Sequence, residues 1–135
     1  MPQKPDTCIG CPLYSKGYSY AGAIGPSNAK VLLVGEALGQ QEAIQGKPFV
    51  GQAGSMLDRI IRLAGFTREE FRIDNVLHCQ PPSNWLDGAP WELEAVEHCS
   101  QYLNQSLDEP HLVVVPMGAI PTRRLLGIGR GVGAL

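Results

Sequence analysis

Four cysteines are the residues whose type and spacing most directly suggest chemistry. Cys8 and Cys11 form a C-x-x-C pair, and Cys79 and Cys99 follow far downstream. The first residues contain no apolar signal-peptide core, so a cytoplasmic location is expected. Because thiols stay reduced there, the four cysteines indicate a metal site rather than disulfides. Their spacing alone favours zinc over an iron–sulfur cluster, and ordinary reduced thiols are the remaining alternative.

A second candidate site lies in residues 31–58. There an apolar run ends in Gly-Glu-Ala-Leu-Gly, and a polar loop closes on Gly-Lys-Pro-Phe-Val-Gly. Glycine lets the backbone approach a ligand closely and adopt positive φ. Open α/β sheets bind ligands at the carboxyl ends of their strands. The pattern therefore predicts a strand followed by a pocket-forming loop, with glycines at Gly35, Gly39, Gly46 and Gly51.

The apolar periodicity predicts the elements that position these two sites. Short runs rich in Val, Leu and Ile predict buried strands at residues 29–34, 73–77 and 112–115. Helical spacing predicts helices at 52–64, 91–107 and 119–126, with a short capped turn at 67–70. Residues 1–29 and 81–90 are expected to be irregular. This alternation predicts an α/β fold, a three-layer α/β/α sandwich around a short parallel sheet.

Length and composition suit one globular domain. The chain has 135 residues, of which 44% are hydrophobic and 18% charged. No apolar run approaches the roughly 18 residues of a membrane span, so no membrane partner is expected, and a monomer is expected. The net charge of −2 does not indicate a basic protein, so DNA contact would depend on local clusters. The candidates are Arg59 and Arg62, and Arg123, Arg124 and Arg130.

The glycine-rich segment also resembles a known family. Gly-Glu-Ala-x-Gly-x-x-Glu, followed by Gly-Lys-Pro-Phe-Val-Gly-x-Ala-Gly, is similar to the first motif of the family-four uracil-DNA glycosylases. These form the iron–sulfur branch of the uracil-DNA glycosylase superfamily. Asn75-Val-Leu-His-Cys79-Gln-Pro-Pro82 matches a second family pattern, and the matches run from Cys8 to about Gly127. The resemblance implies that fold and a DNA repair activity, hydrolysis of the N-glycosidic bond of uracil in single- or double-stranded DNA.

The resemblance also implies a cofactor. The family pattern makes the four cysteines the ligands of one [4Fe–4S] cluster, Cys8, Cys11, Cys79 and Cys99. Four thiolates suit zinc equally well, so the family match moves the expectation to iron–sulfur. The implied role of the cluster is structural, since it would join the N-terminal segment, the loop after the second strand and a helix.

Other residues are assigned to a pocket for a base flipped out of the stack. Phe49 corresponds to the aromatic residue that stacks on uracil. Asn75 corresponds to the asparagine whose amide pairs with uracil O4 and N3–H. Gly35 and Ala37 belong to the loop whose backbone would hold the uracil or the attacking water.

Two carboxylates, Glu36 and Glu42, match family positions linked to activity. A carboxylate there would orient water or stabilise a developing oxocarbenium cation. Two loop residues depart from the pattern, because Leu38 replaces a proline and Ala43 an acidic residue. The family's later His-Pro-Ser motif, whose histidine would stabilise charge on uracil O2, has no match. The chain is therefore expected to be a single, C-terminally truncated domain over residues 1–135.

Two further hypotheses remain open. The first is a catalytically impaired iron–sulfur module that binds DNA, for instance an accessory domain of a DNA polymerase. The absent histidine and the acidic balance favour it. The second is a structural domain that binds zinc. Metal analysis distinguishes the zinc hypothesis, and uracil excision separates the enzyme from the accessory module.

Overall fold

The computed structural model describes residues 1–127. Three parallel strands, β1 (Val31–Gly35), β2 (Phe71–Asn75) and β3 (Val113–Pro116), form a sheet in the order β2-β1-β3. Four helices accompany them: α1 (Gln40–Gln45), α2 (Gln52–Leu63), α3 (Glu92–Leu107) and α4 (Ala119–Leu126). Short 3-10 turns occur at Asp6–Cys8, Arg68–Glu70 and Pro82–Asn84.

Hydrophobic cores cover both faces of the central strand β1. Leu32 and Val34 belong to the larger core, which includes residues of α3 and α4. Leu33 packs on the opposite face with Ile73 of β2 and Ile61 of α2. Successive side chains of a strand point to opposite faces, so the two cores lie on either side of the sheet. The predicted three-layer α/β/α arrangement is confirmed.

The predicted helices are confirmed to within one residue at either end. No helix in residues 1–127 combines the length and apolar character needed to cross a membrane. Arg130 and the end of the chain, on which the expected truncation depends, lie outside the described residues.

The prediction that the third strand is buried is wrong. Leu112 is 77% exposed, Val113 51% and Val114 37%. In the described part of the chain β3 pairs with β1 alone and is an edge of the sheet. Pro116 suits this place, because proline cannot donate to a neighbouring strand.

Helix α1 was not predicted, since a polar loop was expected there. Its start is capped by the N–H of Gly39, which donates to a carboxylate oxygen of Glu42 at 3.1 Å. Its end is Gly46, whose φ of +70° is left-handed. Only Ala43 of this helix is buried, so it has no apolar periodicity that could have revealed it.

Strand β2 begins and ends two residues before its predicted limits. The apolar residues Val76 and Leu77 follow the strand but still donate backbone hydrogen bonds to the oxygens of Gly35 and Glu36, both at 2.9 Å. The segment after β2 is therefore held directly against the loop after β1.

Candidate active site and metal centre

Three of the predicted uracil-binding residues meet at the carboxyl end of β1. Gly35 and Asn75 are register partners in neighbouring parallel strands. A β-carbon at Gly35 would lie 2.4 Å from Cζ of Phe49 and 2.5 Å from Oδ1 of Asn75. A side chain at position 35 would collide with both groups. Glycine therefore makes the room in which the ring and the amide come together.

The side chain of Asn75 is buried with an unused acceptor. The residue is 2% exposed, and its Oδ1 has no hydrogen-bond partner among residues 1–127. Its backbone N–H is satisfied by Oδ1 of Asp74 at 2.7 Å. Buried polar atoms in folded proteins are nearly always hydrogen-bonded. An unpaired amide oxygen beside an aromatic ring is thus suited to a planar, hydrogen-bonding ligand.

The carboxylate of Glu42 is occupied by the backbone of its own loop. Oε1 accepts from Gly39, and Oε2 accepts from the N–H groups of Val50 at 2.9 Å and Gly51 at 2.6 Å. These bonds join the start of α1 to the residues that follow Phe49. The geometry therefore gives Glu42 a loop-holding contact, and its predicted catalytic role stays a prediction.

This contact predicts a stability effect. Glu42→Ala is expected to lower the free energy of unfolding by about 2–3 kcal/mol, because hydrogen bonds to charged groups are lost and three amides lose their acceptor. Urea denaturation measures the change. The exposed Glu69→Ala is the matched control and should change it by less than about 0.5 kcal/mol. Equal stability of the two variants would contradict the loop-holding role.

Glu36 is half-buried and lies in a different electrostatic environment. Burial raises the pKa of its carboxyl, and the negative charges of Asp87 and Glu92 add to the rise, while Arg123 opposes it. Arg123 itself lies 2.7 Å from Asp87 and 3.7 Å from Glu92. Glu36 is thus a carboxyl that resists ionisation, at the side of the loop facing α4.

The raised pKa of Glu36 determines the direction in which folding stability changes with pH. The folded chain prefers protonated Glu36, so the favourable contribution is full below the unfolded pKa and is lost as pH rises through the folded pKa. Glu36→Gln removes this dependence. We expect the melting temperature of the variant minus that of the parent chain to increase from acidic to neutral pH. Thermal melts over that range measure the difference, and a difference that does not vary with pH would contradict the assignment.

The loop carrying Ala37 is half-buried and bonded to the segment after β2. Ala37 packs against the larger core, and Leu38 is 2% exposed. The N–H of Leu38 points to the oxygen of Cys79 at 3.4 Å. The proline usual at this position of the family could not make that contact. The loop after β1 and the segment containing Cys79 are therefore adjacent.

All four cysteines line a single small cavity. Cys8, Cys79 and Cys99 are buried, Cys11 is half-buried, and none is in a disulfide. Residues of the N-terminal segment, the loop after β2 and α3 line this cavity. No three His, Cys, Asp or Glu side chains of residues 1–127 converge closely enough to hold one metal ion.

The surroundings of the sulfurs suit a metal group. Burial raises the pKa of the Cys79 thiol to about 12, and burial also raises the pKa values of Cys99 and Cys11. Neutral thiols are therefore favoured until a cation binds the thiolates. The backbone N–H of His78 donates to Sγ of Cys99 at 3.3 Å, and the hydroxyl of Tyr102 lies 3.4 Å from Sγ of Cys8. Hydrogen bonds of this kind stabilise and tune metal-bound thiolates.

A buried polar network between the two sites was missed from the sequence. Nε2 of His78 lies 2.5 Å from Oδ1 of Asp74, and Ser106 Oγ donates to Oδ2 of Asp74 at 2.7 Å. The His78 ring also stacks on Tyr102, with centroids 5.2 Å apart. Asp74 and His78 directly precede Asn75 and Cys79, and this adjacency was the only signal in the sequence.

The candidate basic clusters differ in their surroundings. Arg123 is paired with acidic residues, and Arg124 donates to Asn104 Oδ1 at 2.8 Å. Arg59 and Arg62 lie exposed on α2. His98 is on α3 and bonds through Nε2 to the oxygen of Thr7 at 2.7 Å.

Comparison with known proteins identifies the family. The model of the uracil DNA glycosylase superfamily matches residues 22–134. A type-4 uracil-DNA glycosylase of Archaeoglobus fulgidus is 38% identical over 110 residues, which are 80% of this chain and 53% of that protein. The Saccharolobus solfataricus type-4 uracil-DNA glycosylase is 36% identical over 110 residues, covering 79% and 49%. That of Pyrobaculum aerophilum is 33% identical over 122 residues, covering 90% and 55%.

The chain spans about half the length of the curated relatives it matches. The matched part contains the sheet, the converging Gly35, Phe49 and Asn75, and the cysteines from Cys79 onward. The match therefore includes both the fold and the pocket residues. This chain belongs to the uracil DNA glycosylase superfamily.

Proposed function

We propose that this chain is a DNA repair domain that binds uracil in DNA and hydrolyses its N-glycosidic bond. The observation that carries the proposal is the unpaired, buried Oδ1 of Asn75 beside the Phe49 ring at Gly35. The type-4 uracil-DNA glycosylases to which the chain is similar support it. Its expected partner is uracil-containing DNA in the cytoplasm, bound by a monomer, with Arg59 and Arg62 as candidates for backbone contact.

Uracil would be recognised by complementary hydrogen bonds. The Oδ1 of Asn75 accepts from uracil N3–H, and its amide N–H donates to uracil O4. Cytosine presents an acceptor at N3 and a donor at C4, so both contacts would be repulsive. Phe49 supplies a stacking surface worth about 1–3 kcal/mol per base.

Bond cleavage requires stabilisation of opposite charges. As the bond between C1′ and N1 breaks, the sugar becomes cationic and the uracil anionic, and water then attacks C1′. A glutamate near the sugar accepts the proton of the attacking water, and a raised pKa makes its carboxylate a stronger proton acceptor. We assign this role to Glu36, because the oxygens of Glu42 are bound to the loop backbone. Ala37 and its neighbours would contribute backbone groups to the uracil or water.

We further propose that Cys8, Cys11, Cys79 and Cys99 bind a [4Fe–4S] cluster. The donor set is four thiols around a common cavity, and the resemblance of the cysteine pattern to that of the family-four uracil-DNA glycosylases favours an iron–sulfur cluster over zinc. When bound, the cluster would cross-link the N-terminal segment, the loop after β2 and α3. This would stabilise the segment that carries Asn75.

A strand-cleavage assay tests the activity. The chain is incubated with single-stranded DNA that contains one uracil, and alkali then cuts the strand wherever the base is missing. We expect cleavage at uracil and none in a strand with cytosine at that position. Bound uracil without cleavage would support the accessory-module hypothesis. If the chain neither binds uracil nor produces cleavage, the proposed function is wrong.

A further inference from the structure

Phe49 has a backbone conformation that a phenylalanine rarely adopts. Its φ is +54°, in the left-handed region. For a residue other than glycine such a conformation is strained and persists only when its surroundings enforce it. The groups that enforce it therefore determine where the ring lies.

Arg68 contacts the carbonyls on either side of this conformation. Its Nη1 donates to the oxygen of Phe49 at 2.6 Å, and its Nη2 donates to the oxygen of Pro48 at 2.7 Å. Nη1 also lies 3.0 Å from Oδ1 of Asp58 on α2. The planar guanidinium presents its donors at a fixed angle. It therefore holds two successive carbonyls in one orientation, which a flexible point charge cannot do.

The remaining sides of Phe49 are enclosed as well. A β-carbon at Gly54 would lie 2.0 Å from the oxygen of Phe49, so α2 directly supports this peptide. On the far side, Glu42 accepts from Val50 and Gly51. Arg68 thus holds the carbonyls of Pro48 and Phe49, and Glu42 holds the amides of Val50 and Gly51.

We propose that Arg68 is a positioning residue of the uracil site, which orients the Phe49 ring over Gly35 through the two carbonyls. The inference rests on the proposed uracil-binding function. Arg68 belongs to none of the family motifs considered above, and it reaches Phe49 from the 3-10 turn before β2. Its contacts would act on ligand affinity through the ring, without touching the ligand.

Arg68→Lys tests the proposal, because it keeps the positive charge and removes the two guanidinium donors that bind the carbonyls together. Arg72→Lys is the matched control, since Arg72 Nη1 also donates to a backbone oxygen, that of Gly25 at 2.5 Å, in a different loop. Two measurements are made on the full chain. One is amide hydrogen exchange at Val50 and Gly51, and the other is the affinity for free uracil followed by NMR titration.

We expect Arg68→Lys to bind uracil about tenfold more weakly, which corresponds to about 1.4 kcal/mol. Exchange at Val50 and Gly51 should become faster. Arg72→Lys should alter neither quantity. Unchanged uracil affinity or unchanged exchange in folded Arg68→Lys would overturn the proposal.

Uracil binding by the chain and positioning of Phe49 by Arg68 are tested by separate measurements. A parent chain that does not bind uracil contradicts the proposed function, whereas the exchange measurement still decides whether Arg68 holds the loop. If Arg68→Lys does not fold, Asp58→Asn replaces it, since it removes only the partner of Nη1. That variant should weaken uracil binding roughly two- to fivefold, and parental affinity would overturn the inference.

Discussion

Cys79→Ser is expected to abolish binding of the metal group and to lower stability by more than about 4 kcal/mol. A group bound only by the folded chain contributes its binding free energy to folding, and an excess of 1,000 times the dissociation constant gives about that amount. Cys79 is 7% exposed and lines the cavity with the other three cysteines. Its oxygen also accepts from Leu38 of the pocket loop, so the loss should extend to uracil binding.

Anaerobic purification followed by visible absorption, iron and sulfide analysis, and thermal melting measures these effects. His98→Gln is the matched control, because His98 lines the same cavity without belonging to the cysteine pattern. It should retain the absorption and the metal. A colourless parent with one zinc per chain would show that the proposed cluster is wrong. Full iron content in Cys79→Ser would show that the ligand set is wrong.

The convergence of Gly35 and Asn75 could be predicted because it follows from topology. The carboxyl ends of neighbouring parallel strands meet at one edge of the sheet. Gly35 directly follows the first predicted strand, and Asn75 lies in the second. The shared cavity of the cysteines followed from the motif alone, since Cys8 and Cys99 are far apart in sequence. Apolar periodicity located the strands but not their exposure. It assigned Val113 to the core because it cannot distinguish a central strand from an edge strand.

The contacts missed from the sequence are polar and non-periodic. Arg68 bonds to carbonyl oxygens, which every residue has, so no residue pattern marks its partner 19 positions away. Asp74 and Ser106 meet across 32 positions in the interior, where side-chain hydrogen bonds follow the packing of β2 and α3. Both contacts support residues that motifs did identify. Motifs therefore located the groups proposed to touch the ligand, while the groups proposed to orient them required the fold.

Asn75→Ala is expected to weaken uracil binding, and any excision, by roughly 10- to 100-fold with little loss of stability. Removing the partner of a buried polar group costs about 1–3 kcal/mol, and 1.4 kcal/mol is about tenfold. In the absence of uracil, Oδ1 of Asn75 has no partner among residues 1–127. Its loss therefore removes no hydrogen bond at that atom from the folded chain, and the effect should fall on the ligand.

Uracil titration and the strand-cleavage assay measure the loss, and urea denaturation checks the stability. Asn84→Ala is the matched control, because Asn84 is exposed and accepts a hydrogen bond from Gln80 at the surface. It should bind uracil like the parent. A destabilised Asn75→Ala variant that still bound uracil normally would assign the amide to the core, and the pocket at Gly35 and Phe49 would then not be the uracil site.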